Sequence, residues 1–375
     1  MTTRKPHRLW LVAAPALALG LVLAGCSATA EPVATSTAST SETAETTSDL
    51  TGATDANMTA ADVLAANQEP HDKSDDAEYD ASDATTIALS GSSATISGDG
   101  AAVSGATVVI SDPGTYILSG SYSGQVIVDS TADGQVRLVL DGVDIDTTAG
   151  AAIDVQAADD ATANAALYSA ADLTITGAGA LTVTGNGNDG IASSDGLVIQ
   201  SGTISVTAVD DGIRGKDYLV IRGGDITVDA TGGDGLKSDN DQEAERGYVW
   251  LEDGTVQVTS GDDGIDAATD VVTTGGTLSI TAGGGASGNP DDGAKGISAG
   301  VIAVLEGGTV AVDAADDAIN TDAYAHLNGA TTTLASGDDG IHADQQLAVS
   351  AGTTTVTEAY EGLEAGQITI AGGDT

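Results

Sequence analysis

A parallel β-helix is the fold that this sequence predicts for residues 86–375. It is an all-β, single-stranded solenoid with coils of about 22 residues. Three observations predict it. An acidic pair followed by Gly and an aliphatic residue returns along the chain at that spacing, and periods of this order mark solenoids and arrays. Between these marks, short runs alternate apolar and polar residues and end in Ser-Gly or Gly-Gly, the pattern of strands joined by tight turns. The chain holds 50 Gly, no Phe and 3% aromatic residues, so its core has to be built from aliphatic ladders. A propeller blade would need about 40 residues with aromatic signatures, and a toxin-type roll would need nonapeptide Gly-Gly-x-Gly-x-Asp repeats. The sequence has neither.

The N-terminal stretch is of a different kind. Arg4, Lys5, His7 and Arg8 precede an uncharged apolar run from Leu9 to Ala24, which leads into Gly25 and Cys26. Basic, apolar, small-residue order is that of a secretory signal. The run is short for a transmembrane span of about 20 residues. Leu23, Ala24, Gly25 and Cys26 resemble the lipobox of bacterial lipoproteins. That resemblance implies a signal peptide over residues 1–25, cleavage before Cys26 and a diacylglyceryl group on its sulfur. The expected location is the outer face of the cell membrane, reached by secretion and held by lipid alone. Cys26 is the single cysteine, so no disulfide forms within the chain. Residues 26–85 are rich in Ala, Thr, Ser, Asp and Glu and read as a disordered tether. A short helix over Thr59 to Asn67, capped by Thr59, is expected within it.

Charge narrows the function classes. Against 56 Asp and Glu stand 11 Lys and Arg, a net −45. Such a chain does not hold nucleic acid or an anionic membrane surface by its own charge, but it attracts cations. A monomer is expected.

The repeat places its residues. The marks read Asn188-Asp189-Gly190-Ile191, Asp210-Asp211-Gly212-Ile213, Gly233-Asp234-Gly235-Leu236 and Asp262-Asp263-Gly264-Ile265. They continue as a spread copy from Asp291-Asp292-Gly293 to Lys295-Gly296-Ile297, then Asp316-Asp317-Ala318-Ile319, Asp338-Asp339-Gly340-Ile341 and Tyr360-Glu361-Gly362-Leu363. Stacked in register about 4.8 Å apart, the aliphatic residues form an inward ladder. Pairs such as Ile204 and Val206, or Ile226 and Val228, form a second. The same stacking lines Asp189, Asp210, Asp211, Asp234, Asp262, Asp263, Asp291, Asp292, Asp316, Asp317, Asp338 and Asp339 along one edge. Crowded carboxylates raise one another's pKa, and a hard divalent cation relieves that strain. Ca²⁺ accepts six to eight oxygen ligands in flexible geometry, so it is the expected ion. The alternative is that Asp is a good turn residue and stays solvated.

The residue after each aliphatic mark faces outward: Ala192, Arg214, Lys237, Asp266, Ser298, Asn320, His342 and Glu364. Arg214, Lys216 and Lys237, with Lys295, are most of the repeat's few cations. Arg214, Lys216, Lys237, Asn320 and His342 are the candidate carbohydrate contacts, gripping an acidic polysaccharide beside Ca²⁺. Equally open is that these cations only offset the acidic edge. His342 alone reads as a surface residue. A hydroxyl-rich third face, including Thr203, Ser205 and Thr207, suits strands. Asp225, Asp229 and Asp313 interrupt it and count against an ordered-water surface. Aromatic platforms are few, with Trp250, Tyr218 and Tyr248 among them. Patterns for a Ser-His-Asp triad, HExxH, CxxC or a P-loop are absent.

The run Ala166 to Ile191, the string Asp210-Asp211-Gly212-Ile213-Arg214-Gly215-Lys216-Asp217, and Gly233 to Asn240 resemble the carbohydrate-binding-domain lipoproteins of bacteria. These are related in fold to calcium-dependent pectate lyases. Gly114 to Gly120 and Val136 to Val143 fit the same family. The resemblance implies a right-handed β-helix, bound calcium, and binding of acidic or plant-type polysaccharide. It carries Asp210, Asp211, Asp234 and Asp239 as ion ligands. Two departures stand out: Asp159 to Ala165 looks shorter than the family's loop, and the repeat runs to Thr375 without an evident cap. A non-catalytic binder is the leading expectation. The alternatives are a polysaccharide lyase using Lys216, Lys237 or Arg214 as base, and a structural or adhesion solenoid.

Overall fold

The computed structural model describes residues 52–148, 150–156 and 164–375. The signal peptide and Cys26 lie outside the described residues, as does most of the expected short loop from Asp159. Among the described residues no helix is long and apolar enough to cross a membrane.

Alternating sequence becomes alternating burial. Thr203–Ala208 reads exposed, buried through its six residues, as do Asp225–Ala230 and Thr309–Ala314 with one half-buried exception. From Ala165 to Ala314 each repeat holds three strands, and beyond it they run together, as in Tyr324–Ser336 and His342–Glu358. One reads Ile213–Gly215, Tyr218–Ile221 and Asp225–Ala230, and the next reads Leu236–Ser238, Tyr248–Leu251 and Thr255–Ser260. Every strand pairs in parallel with its counterpart one repeat on, so Ile213 meets Leu236, Leu219 meets Val249 and Ile226 meets Val256. The result is a 26-stranded sheet that is parallel except for a pairing of Ala101–Ser104 with Thr107–Ile110. A separate four-stranded sheet is built from Thr85–Gly91, Ser93–Ser97, Gly114–Ser123 and Val136–Asp146.

The expected ladders are present. Ile191, Ile213, Leu236, Ile265, Ile297, Ile319 and Ile341 are all buried in one continuous core with Ile204, Val206, Ile226 and Val228, and Leu363 packs half-buried at its end. Gly in the mark has a packing reason. A Cβ on Gly212 would lie 2.2 Å from Val228 Cγ1 and 2.6 Å from the Gly235 carbonyl oxygen, so a side chain there would push neighbouring coils apart. At Gly235 the same clash arises with Val258 and Gly264.

The reading of residues 26–85 as tether needs correction in its second half. Everything described from residue 52 onward belongs to one compact unit. The expected helix forms at Ala60–Ala66 behind a Thr59 capping box with Asp62. It does not float. Ala60 and Val63 are buried with Ala53 against Val272, Val301, Ile302 and Val304 on the outside of the solenoid. The segment gives this contact Ala53, Ala60 and Val63, with Met58 and Leu64 half-buried beside them, too few and too scattered to stand out from its polar composition.

Candidate functional site

The two acids of each mark do different jobs. Asp211, Asp317 and Asp339, each the second acid of its mark, are buried, and so are Asp189 and Asp234, the single acids of theirs. Asp210, Asp262 and Asp338 are exposed. Asp211 Oδ1 accepts a 3.0 Å hydrogen bond from the backbone amide of Asp234, and Asp234 Oδ1 one of 2.9 Å from Asp263. Asp263 Oδ1 accepts from the Lys295 amide at 2.7 Å, and Asp317 Oδ1 from the Asp339 amide at 2.9 Å. The sequence separations are 23, 29, 32 and 22, so the contact survives insertions of varied length. Each carboxylate thus staples one coil to the next. It satisfies an amide that would otherwise be a buried, unpaired donor.

The opposite side of this ladder meets cations. Lys237 Nζ lies 2.5 Å from Asp234 Oδ2, 3.4 Å from Asp266 Oδ2 and 3.8 Å from Asp211 Oδ2. Burial works to lower the Lys237 pKa, but these three carboxylates outweigh it and hold the ammonium charged. Arg214 is fixed by Asp239 at 2.6 Å and Lys295 by Asp316 at 3.1 Å. Burial raises the carboxyls of Asp189 to about 6 and Asp263 to about 7. Asp339 is also raised, first by burial and then by Glu364 and neighbouring acids.

Parallel pairing draws these residues into the expected column, but Ala192 at its start is buried with Ala151, Ala165 and Tyr168 and is not on the surface. Ala192 pairs with Arg214, Arg214 with Lys237, Lys237 with Asp266, and Asp266 with Ser298. Ser298 pairs with Asn320, Asn320 with His342, and His342 with Glu364. Lys216 lies outside this column. Its side chain is exposed and makes no ion pair among the described residues. Of the candidate carbohydrate contacts, Arg214 and Lys237 are tied down by carboxylates, whereas Lys216 has no such partner. His342 is less isolated than expected: its ring nitrogens lie 3.7 Å from Asp317 Oδ2 and 3.4 Å from Asp344 Oδ1.

Among the described residues, four groups have donor atoms close enough to share an ion: Asp234, Asp262 and Asp263; Asp316, Asp317 and Asp338; Asp317, Asp339 and His342; Asp339, Glu361 and Glu364. Three of the four offer oxygen alone, the donor set that suits a hard cation. Asp291 and Asp292 are not on the edge, against expectation. They sit exposed in the 3₁₀ turn Pro290–Asp292, because the inserted residues move them aside and Lys295 takes the ladder place. Asp211, Asp234 and Asp239 do face cations, but protein ones, Lys237 and Arg214.

Sequence reasoning missed a second polar cluster, around the N-terminal segment. Asp72 grips Arg222 with both oxygens, at 2.7 and 2.8 Å, and Arg222 also meets Glu252 at 2.6 Å. His71 Nδ1 lies 2.8 Å from Tyr218 Oη. Tyr218 and Tyr248 stack at 5.5 Å, and Tyr248 Oη donates to the Gln68 carbonyl at 2.6 Å. No short motif announces such contacts, because their partners lie well over a hundred residues apart in sequence.

A family model for carbohydrate-binding domain-containing proteins matches residues 104–163 and 159–340. The chain belongs to that family. No curated protein matches the chain. Among solved structures, the chain is similar to a polysaccharide lyase-like protein from C. thermocellum, solved as a gadolinium derivative. The two are 26% identical, the match covers 75% of this chain and 99% of the other, and the TM-score is 0.46.

Proposed function

We propose that this protein binds polysaccharide at the outer face of a cell membrane, held there by lipid on Cys26. In this reading residues 86–375 form a right-handed parallel β-helix with coils of about 22 residues. Its acidic edge carries Ca²⁺, and the column through Arg214, Lys237, Asn320 and His342, with Lys216 beside it, contacts an acidic or plant-type glycan. Membership of the carbohydrate-binding family supports the partner class. The observation that carries the reading is the register, which sets Arg214, Lys237, Asn320 and His342 in one column, with Asp266 and Ser298 between them, three residues from a ladder of acids. The oxygen-rich groups at Asp316, Asp317 and Asp338, and at Asp339, Glu361 and Glu364, fit Ca²⁺ best. There the ion would supply positive charge to bridge glycan carboxylates.

Lyase chemistry is the weaker reading. A base must be unprotonated to take the proton next to a uronate carboxyl. Lys237 and Arg214 are both raised in pKa by the carboxylates around them, which leaves only Lys216. Affinity electrophoresis of the full chain in polygalacturonate, with calcium and with chelator, tests the proposal. Retardation that chelation abolishes is expected. Mobility unchanged in both conditions, with melting still calcium-dependent, would instead favour a structural solenoid. An unsaturated, ultraviolet-absorbing product would restore the lyase.

A further inference from the structure

The carboxylate ladder ends on an exception. Asp211, Asp234, Asp263 and Asp317 each take a backbone amide of the next coil, but Asp339, the next in the series, does not. It is only 4% exposed, and its carboxylate accepts no hydrogen bond from an amide, hydroxyl or cation among the described residues. A histidine and more acids approach it instead. One of its oxygens lies within 4.8 Å of ligand atoms on Asp317 and His342, and one within 4.8 Å of ligand atoms on Glu361 and Glu364. A buried carboxylate without a donor is costly unless a cation meets it.

The group of Asp317, Asp339 and His342 differs from the other three in its nitrogen. Its backbone is already joined, since Asp317 Oδ1 holds the Asp339 amide and His342 begins the strand three residues on. The other oxygen, Asp317 Oδ2, lies 3.7 Å from His342 Nδ1. Two metal bonds of about 2.1 Å at a tetrahedral angle span about 3.4 Å, so a small side-chain shift brings both atoms onto one ion. The second ring nitrogen, Nε2, lies 3.4 Å from Oδ1 of the exposed Asp344. A carboxylate behind the far nitrogen is the arrangement that fixes the tautomer of a metal-bound imidazole and raises its basicity. His342 is half-buried, so water can reach the open positions of an ion. The donor set also selects the ion. Ca²⁺ takes oxygen ligands, whereas imidazole suits zinc, copper, iron and nickel.

We propose that Asp317, Asp339 and Nδ1 of His342 bind one divalent transition ion of the zinc class, with Asp344 orienting the ring from behind. The site depends neither on glycan binding nor on calcium at the acid-only groups, although Asp339 also belongs to one of them. Equilibrium dialysis of the chelator-stripped full chain against Zn²⁺, in excess Ca²⁺, tests it. One saturable ion per chain is expected. His342→Ala should abolish that uptake, and Asp344→Asn, a change on an exposed side chain, should weaken it about tenfold. Asp338→Asn with Glu361→Gln should leave it in place, because neither residue supplies the site. Zn²⁺ uptake that is absent from the parent, unchanged in His342→Ala, or lost in the Asp338 and Glu361 double variant overturns the proposal. The melting shift with Ca²⁺ is read on the same samples. A calcium shift without zinc uptake removes only this site, and zinc uptake without a calcium shift removes only the calcium reading.

Discussion

Asp211 Oδ1 accepts its hydrogen bond from the amide of Asp234, whose own Oδ1 accepts from the amide of Asp263. Three successive marks are thereby joined by carboxylates, not only by the sheet. The neighbouring Asp210 is of the same type, one residue away, and stays exposed. This gives a contrast that composition alone could not: the same substitution at adjacent positions should differ several-fold in its effect. Asp211→Ala should destabilise the protein by about 2–3 kcal/mol, because it leaves the Asp234 amide unpaired inside the turn. Asp210→Ala should fall within about 0.5 kcal/mol of the parent. Urea unfolding of both variants measures the difference, and equal losses would show that the staple contributes nothing.

Lys237 lies among Asp211, Asp234 and Asp266, so removing its charge strands three carboxylates. Lys237→Met should cost about 3–5 kcal/mol at neutral pH, the usual cost of breaking a buried ion pair from one side. The sign with pH follows. Without the ammonium the carboxyl pKa values rise further, so the deficit should shrink as acid protonates them. Melting of parent and variant at pH 4.5 and pH 7.5 shows this as a gap that widens upward. A gap independent of pH would mean that lost packing of the lysine stem, not charge, sets the cost.

Burial alone lifts the Asp270 carboxyl to about 7, against hydrogen bonds from Asn67 and the Ile302 backbone. A carboxyl raised on folding favours the folded state most below its unfolded pKa. That advantage is lost as pH climbs towards 7 and stays lost above it. Asp270→Asn should therefore leave stability almost unchanged near pH 4 and raise it by roughly 2–4 kcal/mol at pH 8. Chemical denaturation at the two pH values is the check, and a variant that gains equally at both would contradict the titration.

The groups at Asp316, Asp317 and Asp338, and at Asp339, Glu361 and Glu364, are the proposed ion sites. Millimolar Ca²⁺ should raise the melting temperature by several degrees through preferential binding to the folded chain. Asp338→Asn together with Glu361→Gln should remove most of that gain, since both residues are exposed and neither is a staple. A calcium shift unaltered in the double variant would move the ion elsewhere on the edge.

Much of this architecture was legible in the sequence because a solenoid repeats its instructions. Ile213, Leu236 and Ile265 each follow the same Gly, and one register explains them all. The outward column followed from the same count. What stayed hidden lay outside the repeat. Asp291 and Asp292 matched the motif in letters, but the insertion before them broke the phase, and Lys295 supplied the stapled amide instead. Distinguishing Asp210 from Asp211 needed the turn geometry, since alternation is not defined across a Gly-rich corner. The docking of residues 53–72 depends on isolated contacts such as Val63 with Val272 or Asp72 with Arg222, which no periodicity signals.

The proposed function stands or falls on glycan binding by the column face. Isothermal titration of the full chain with oligogalacturonate in calcium, parent against Lys216→Ala with His342→Ala, decides it. Lys216 is exposed and His342 half-buried, so the melting temperature should hold while affinity falls at least tenfold. Affinity unchanged by the double substitution, with the fold intact, would contradict it.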